Sequence, residues 1–96
     1  MKKYELALVI SPLLDEEALN AEKESVKALI ERFDGTVDNV DEWGKRRLAY
    51  EIKKVNEGFF SFIQFTAPAT APAEIERRMR IKENVLRYLV VAQEEA

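Results

Sequence analysis

The stretch from Trp43 to Ile52 constrains this chain most. A lone Trp, a Gly and the basic residues Lys45, Arg46 and Arg47 run directly into Leu48-Ala49-Tyr50-Glu51-Ile52. Leu48, Tyr50 and Ile52 share one face at period two, and Lys45, Arg47 and Glu51 share the other, which reads as a half-buried strand with a cationic side. Gly44 inside that pattern suggests a bulge or a close approach by another backbone. Charge also protects an exposed edge strand from pairing with other chains, so an ordinary edge explains the same residues.

The rest of the chain supplies supports for this strand. Tyr4, Leu6, Leu8 and Ile10 alternate against Glu5, Ala7 and Val9, a strand with its larger side chains toward a core, ended by Ser11-Pro12. Asp15 is placed to cap a helix whose first turn carries Glu16 and Glu17 and whose Leu19, Val26, Leu29, Ile30 and Phe33 recur at helical spacing. Asp34-Gly35 stops it, with Gly35 suited to the left-handed position. From Thr36 strand character runs through Val37 and Val40 into the Trp43 stretch, making a strand of about 16 residues where five or six is usual, so a bulge near Gly44 is expected. The polar run Lys53 to Gly58 reads as a hairpin loop, and Phe59 to Ala67 as the partner strand. Ala67-Pro68-Ala69 breaks that strand. Thr70 is placed to cap a second helix, with Pro72 in its first turn and Ile75 and Met79 facing inward. Val85 to Ala92 closes as a strand in which Leu86, Tyr88 and Val90 alternate against Arg87, Leu89 and Val91.

Strand, helix, strand, strand, helix, strand is the order of the ferredoxin-like split βαβ fold. It is an α+β architecture with a four-stranded antiparallel sheet and two helices on one face. One domain over residues 1–96 is expected, since this length builds a single core and little more. Two helices cover one sheet face, so the other is open to solvent or a partner. By parity it carries Val9, Phe60, Phe62, Arg87, Leu89 and Val91, an apolar patch of the kind that marks a contact surface.

Composition removes most chemistry. There is no Cys and no His, so disulfides, thiolate catalysis, imidazole metal ligation and His general-base catalysis are excluded. Gly35, Gly44 and Gly58 are isolated, so no phosphate-cradling loop exists. No serine has an activating partner pattern, and Asp38, Asp41 and Glu42 lack the spacing of a calcium loop. Neither a catalytic residue, a metal site, a cofactor nor a small-molecule substrate is expected. No apolar run approaches the roughly 18 residues needed to span a membrane, which points to a soluble intracellular protein. The formal charge of −3 hides a segregation. Residues 1–42 carry five basic and eleven acidic groups, whereas residues 43–96 carry ten basic and seven acidic ones. A local basic patch binds phosphate even on an acidic protein, because screening limits each charge to roughly 8 Å at physiological salt.

The run Trp43 to Ile52, with its Gly-Lys-Arg-Arg-Leu-Ala-Tyr-x-Ile core, resembles the signature of the bacterial small-subunit ribosomal protein S6 family. The opening Met1-Lys2-Lys3-Tyr4-Glu5 strand, the Asn56 to Phe60 turn and the run Arg80 to Arg87 are also similar to that family, so the agreement spans nearly the whole chain. The resemblance implies a non-catalytic, cytoplasmic constituent of the small ribosomal subunit. Such a protein pairs with ribosomal protein S18, binds the central domain of small-subunit ribosomal RNA together with it, and is a monomer in isolation. Carried over by position, Trp43, Arg46, Arg47, Leu48 and Tyr50 bear on the protein partner, with Phe60 and Phe62 on the open face beside them. The candidates for RNA contact are Lys2, Lys3, Tyr4, Arg80, Lys82 and Arg87, with neighbouring first and last strands expected to bring Lys2, Lys3, Tyr4 and Arg87 together. Phe60 and Phe62 also suggest a base-stacking platform, but the Lys/Arg-Gly-Phe/Tyr signature of RNA-recognition modules is absent, and a protein contact is the stronger reading. Some family members carry a long acidic tail, here reduced to Glu94-Glu95-Ala96. A different class, a self-associating module using the open sheet face for a second copy or a ligand, predicts a stable homodimer instead.

Overall fold

The structure, a computed structural model, describes residues 1–93, and the acidic Glu94-Glu95-Ala96 end lies outside them. Six elements follow in order: β1 (Lys2–Ile10), α1 (Glu16–Arg32), β2 (Thr36–Ile52), β3 (Val55–Ala67), α2 (Ala71–Met79) and β4 (Val85–Ala92). The strands form one antiparallel sheet in the order β2-β3-β1-β4. This is the expected split βαβ arrangement.

Parity in β1 sets the core. Tyr4, Leu6, Leu8 and Ile10 are all buried, and Ile63, Phe65 and Ala67 of β3 join them on the same side. Leu19, Val26 and Ile30 of α1 and Ala71, Ile75 and Met79 of α2 complete that one cluster, so both helices cover one sheet face. Burying each large side chain here stabilises the fold by roughly 1.5–3 kcal/mol. The helix α1 starts as expected, with the Asp15 carboxylate accepting from the Ala18 N–H at 2.8 Å ahead of Glu16 and Glu17.

Several local expectations are corrected. Asp34, not Gly35, takes the left-handed conformation after α1, at φ 65°, while the Gly35 N–H donates to the Ile30 carbonyl at 2.9 Å. Aspartate tolerates that region because its short polar side chain bonds locally. Thr70 precedes α2 but makes no side-chain cap bond, since its backbone is already helical at φ −83°, ψ −16°. An N-cap needs extended backbone to turn its oxygen onto the first amides.

The hairpin between β2 and β3 is shorter than the polar run suggests. Lys53 and Lys54 both have positive φ, 48° and 67°, the pattern of a two-residue turn that matches strand twist. The β3 strand therefore begins at Val55, and the Asn56 to Phe60 stretch is strand rather than turn. Gly58 serves a close approach, because a Cβ there would collide with Val9 Cγ1. The bulge near Gly44 is present: the β2–β3 register steps between Glu42 and Gly44, and Gly44 has φ 76°. A further step separates Arg47, opposite Glu57, from Ile52, opposite Val55, so Leu48 to Glu51 arch out of the ladder opposite Asn56. Most of β2 is thus exposed rather than half-buried.

On the other edge, β4 pairs Arg87 with Val9 but Val85 with Ile10. That step leaves Leu86 as the extra residue. Val85 enters the core in its place, and Leu86 lies on the open side near Gly58 and Val9, contrary to simple alternation. Val9 is accordingly buried at 6% exposure instead of contributing to an exposed patch.

Ser61 is the one defect in the core side of β3. It is 2% exposed, and its hydroxyl has no hydrogen-bond partner among the described residues. A buried unsatisfied hydroxyl costs about 1–3 kcal/mol. Ser61→Ala is therefore expected to raise stability by about 1 kcal/mol, read as a higher urea midpoint at unchanged slope; a lower midpoint contradicts the assignment.

Candidate functional site

The face opposite the helices is centred on β1 and β3 and carries no helix. Leu89 and Val91 of β4 stand about half exposed on it, Phe60 and Phe62 of β3 are half-buried, and Arg87 is exposed. A depression of about 230 Å³ lies between Ala7, Val9, Phe60, Phe62, Arg87 and Leu89. A second, of about 290 Å³, is walled by Arg47, Leu48, Tyr50 and Ile52 of the arched end of β2. The two share Val9, Phe60 and Arg87, so they form one groove across the sheet.

Local chemistry fixes the walls of this groove. Trp43 packs on Phe62 with ring centroids 4.8 Å apart and tilted by 58°, and its indole N–H donates to the Asp41 carboxylate at 3.1 Å. The Gly44 bulge lets the strand fold Arg46 back. Its Nε–H donates to the Trp43 carbonyl at 3.1 Å, and its guanidinium sits 5.8 Å from the indole. Exposed cation–π pairs of this kind are worth about 0.5–1 kcal/mol, enough to bias a rotamer. Across the groove, Arg87 donates from Nη1 to the Tyr50 hydroxyl at 3.0 Å, with its guanidinium 5.9 Å from the Tyr50 ring. Residues 37 apart in sequence are joined there, one from each candidate set.

The six candidates for RNA contact do not form one patch. Lys2 pairs opposite Ala67 and Lys3 opposite Thr66, whereas Arg87 faces Val9 at the other end of β1. The antiparallel register puts about 20 Å of strand between Lys3 and that end. Tyr4 is a core residue at 6% exposure, its ring stacked on Phe65 at 5.6 Å, which corrects its reading as a surface contact. Lys82 is turned toward α1, where its ammonium meets Glu22 at 3.2 Å and the Ser25 hydroxyl at 2.7 Å. Arg80 is exposed at the end of α2.

What the structure does assemble is a cationic end. The Lys53 ammonium reaches the Glu83 carbonyl at 3.4 Å, bringing the Lys53-Lys54 turn beside the loop that joins α2 to β4. Arg80 opens that loop, and Arg87 follows two residues into β4. Lys53 and Lys54 were missed as site candidates because their place depends on the turn type, which a polar run does not reveal.

Comparison with known proteins decides what kind of protein carries this surface. Residues 3–92 match the family model described as ribosomal protein S6. The chain belongs to the ribosomal protein S6 family. The small ribosomal subunit protein bS6 of Clostridium botulinum strain 657 is 49% identical over 94 residues, covering 98% of this chain and all of that protein. That of Clostridium perfringens strain SM101 is 50% identical over 95 residues, 99% of this chain and all of the relative. The crystal structure of 30S ribosomal protein S6 from Thermotoga maritima superposes with a TM-score of 0.91 at 33% identity, covering 96% of this chain and 87% of that one. The C-terminal domain of the MgtC protein from Mycobacterium tuberculosis, at 15% identity and a TM-score of 0.63, shares the fold alone.

Membership of the S6 family makes this chain a constituent of the small ribosomal subunit, a cytoplasmic particle, with a structural rather than catalytic part. Among the described residues no group of acidic side chains is placed to hold a metal, and no helix is long and apolar enough to cross a membrane.

The two basic residues at the end of α2 separate cleanly by their surroundings. The Lys82–Glu22 pair is largely shielded, with side chains 21% and 15% exposed. Removing one partner of a shielded pair leaves the other charge uncompensated. Lys82→Ala is expected to lower stability by about 1 kcal/mol while Arg80→Ala changes it by less than about 0.5 kcal/mol, both measured by chemical denaturation. Equal effects contradict this division.

Proposed function

We propose that this S6-family protein binds the central domain of small-subunit ribosomal RNA jointly with ribosomal protein S18. In this reading the groove of the open sheet face, from Trp43 to Tyr50 with Phe60 and Phe62, takes the protein partner. Arg87, Arg80 and the Lys53-Lys54 turn take RNA phosphates, with Lys2 and Lys3 as a separate contact at the other end of β1. The observation that carries it is the Arg87–Tyr50 hydrogen bond, which puts a phosphate-competent guanidinium on the rim of an apolar groove.

The chemistry supports a division of labour. Half-buried aromatics with Leu89 and Val91 suit a protein surface, since such patches gain most from excluding water. Guanidiniums and ammoniums at one end position a protein on phosphates without reading sequence. With a formal charge of −3, the chain alone is a weak RNA ligand and gains from a partner that supplies further contacts. The protein is a monomer until it meets that partner.

Sedimentation and filter binding test this together. The purified chain is expected to sediment as a monomer, to form a one-to-one complex with S18, and to bind a central-domain RNA fragment tightly only in that complex. Arg87→Ala and Arg80→Ala should each lower the salt slope of binding by about 0.7–1. A stable homodimer without a heterodimer sinks the proposal and leaves self-association through the sheet face. An unchanged slope in both variants removes those residues from the RNA surface.

A further inference from the structure

A second groove lies on the opposite side of the molecule, between the two helices, and the sheet-face reading makes no use of it. Its volume is about 410 Å³. One wall is a stripe of α1, Ser25, Ala28, Leu29 and Arg32, at the i, i+3, i+4, i+7 spacing of a single helix face. The other is Arg78, Ile81 and Lys82, from α2 and the residues after it. No acidic residue lines it.

Two of its three cations are not paired with a carboxylate among the described residues. Lys82 is held by Glu22 and Ser25, so one ammonium and one carboxylate cancel at the edge. Arg32 is exposed and makes no ion pair among the described residues. Arg78 lies over the Phe33 ring at 5.8 Å and also has no carboxylate partner. The carbonyl ends of α1 and α2 offset about half a charge each, and the groove stays positive. Between the two guanidiniums the floor is apolar, and Ile81 stands 75% exposed at its rim.

We infer that this groove docks an acidic segment of a partner protein, with an apolar side chain against Leu29 and Ile81 and flanking carboxylates on Arg32 and Arg78. Guanidiniums bind carboxylates through paired N–H donors, and an unpaired one beside an apolar floor gains both charge and burial on docking. Charge complementarity alone would also admit RNA. A protein segment is favoured because Ala28, Leu29 and the 75% exposed Ile81 offer apolar surface that a side chain covers and a sugar-phosphate backbone does not. The groove lies on the helical side, so it remains open while the sheet face is occupied.

Nuclear magnetic resonance on the 15N-labelled full chain tests this. The probe is a blocked hexapeptide of two leucines flanked by two glutamates on each side, compared with its all-glutamine analogue and with decauridylate. Glutamate peptide should shift the amides of Ser25, Ala28, Leu29 and Ile81, and the glutamine analogue should not. Arg32→Gln with Arg78→Gln, and separately Ile81→Ser, should each weaken binding about tenfold, with the rest of the spectrum reporting an intact fold. Absence of those shifts at millimolar peptide overturns the inference, as does decauridylate moving the same amides where the peptide does not.

Discussion

Burying Leu6, Leu8 and Ile10 beneath two helices commits one face of the sheet to the core and leaves the other with no helix over it, only the displaced end of β2. Everything functional follows from that asymmetry. Because side chains alternate along a strand, the same register that sinks Phe65 and Ile63 lifts Phe60 and Phe62 to the opposite side. A slip by one residue would invert both. The bulges at Gly44 and at Val9/Ile10 adjust this pattern locally, one folding Arg46 back onto Trp43 and the other exchanging Leu86 for Val85 in the core.

The edge strand β2 then acts as a wall rather than as part of the layer. Leu48 to Glu51 arch out of the pairing with β3, and the Lys53-Lys54 turn that follows Ile52 lies beside the α2–β4 loop. Tyr50 ends against Arg87 on the far edge, closing the groove across two intervening strands. An apolar groove with cations at one end joins two kinds of surface in a small chain. This is what a shared component of a protein and RNA assembly requires, and it needs no catalytic group.

The element order, the long second strand, the bulge at Gly44 and the Asp15 cap were legible in the sequence, because each depends on residues close in the chain. So was the family, whose signature spans most of the length. What escaped was nonlocal. The separation of Lys3 from Arg87 comes from antiparallel register, whereas the burial of Tyr4 agrees with its parity beside Leu6 and Leu8 and conflicts only with the RNA role assigned to it. Lys82 looked like a free cation only because Glu22 and Ser25 lie on a different helix. The turn at Lys53 and Lys54 was hidden by its chemistry, since two lysines at positive φ are an uncommon choice where Asn-Gly is the usual one.

The central claim is that the uncovered sheet face, walled by β2, is where the protein partner sits. Amide chemical shifts of the 15N-labelled chain, followed while purified S18 is added, test it most directly. The account predicts changes concentrated from Trp43 to Ile52, at Phe60 and Phe62 and at Leu89, with the helices largely undisturbed. Changes confined to α1 and α2, or none at saturating partner, would contradict it.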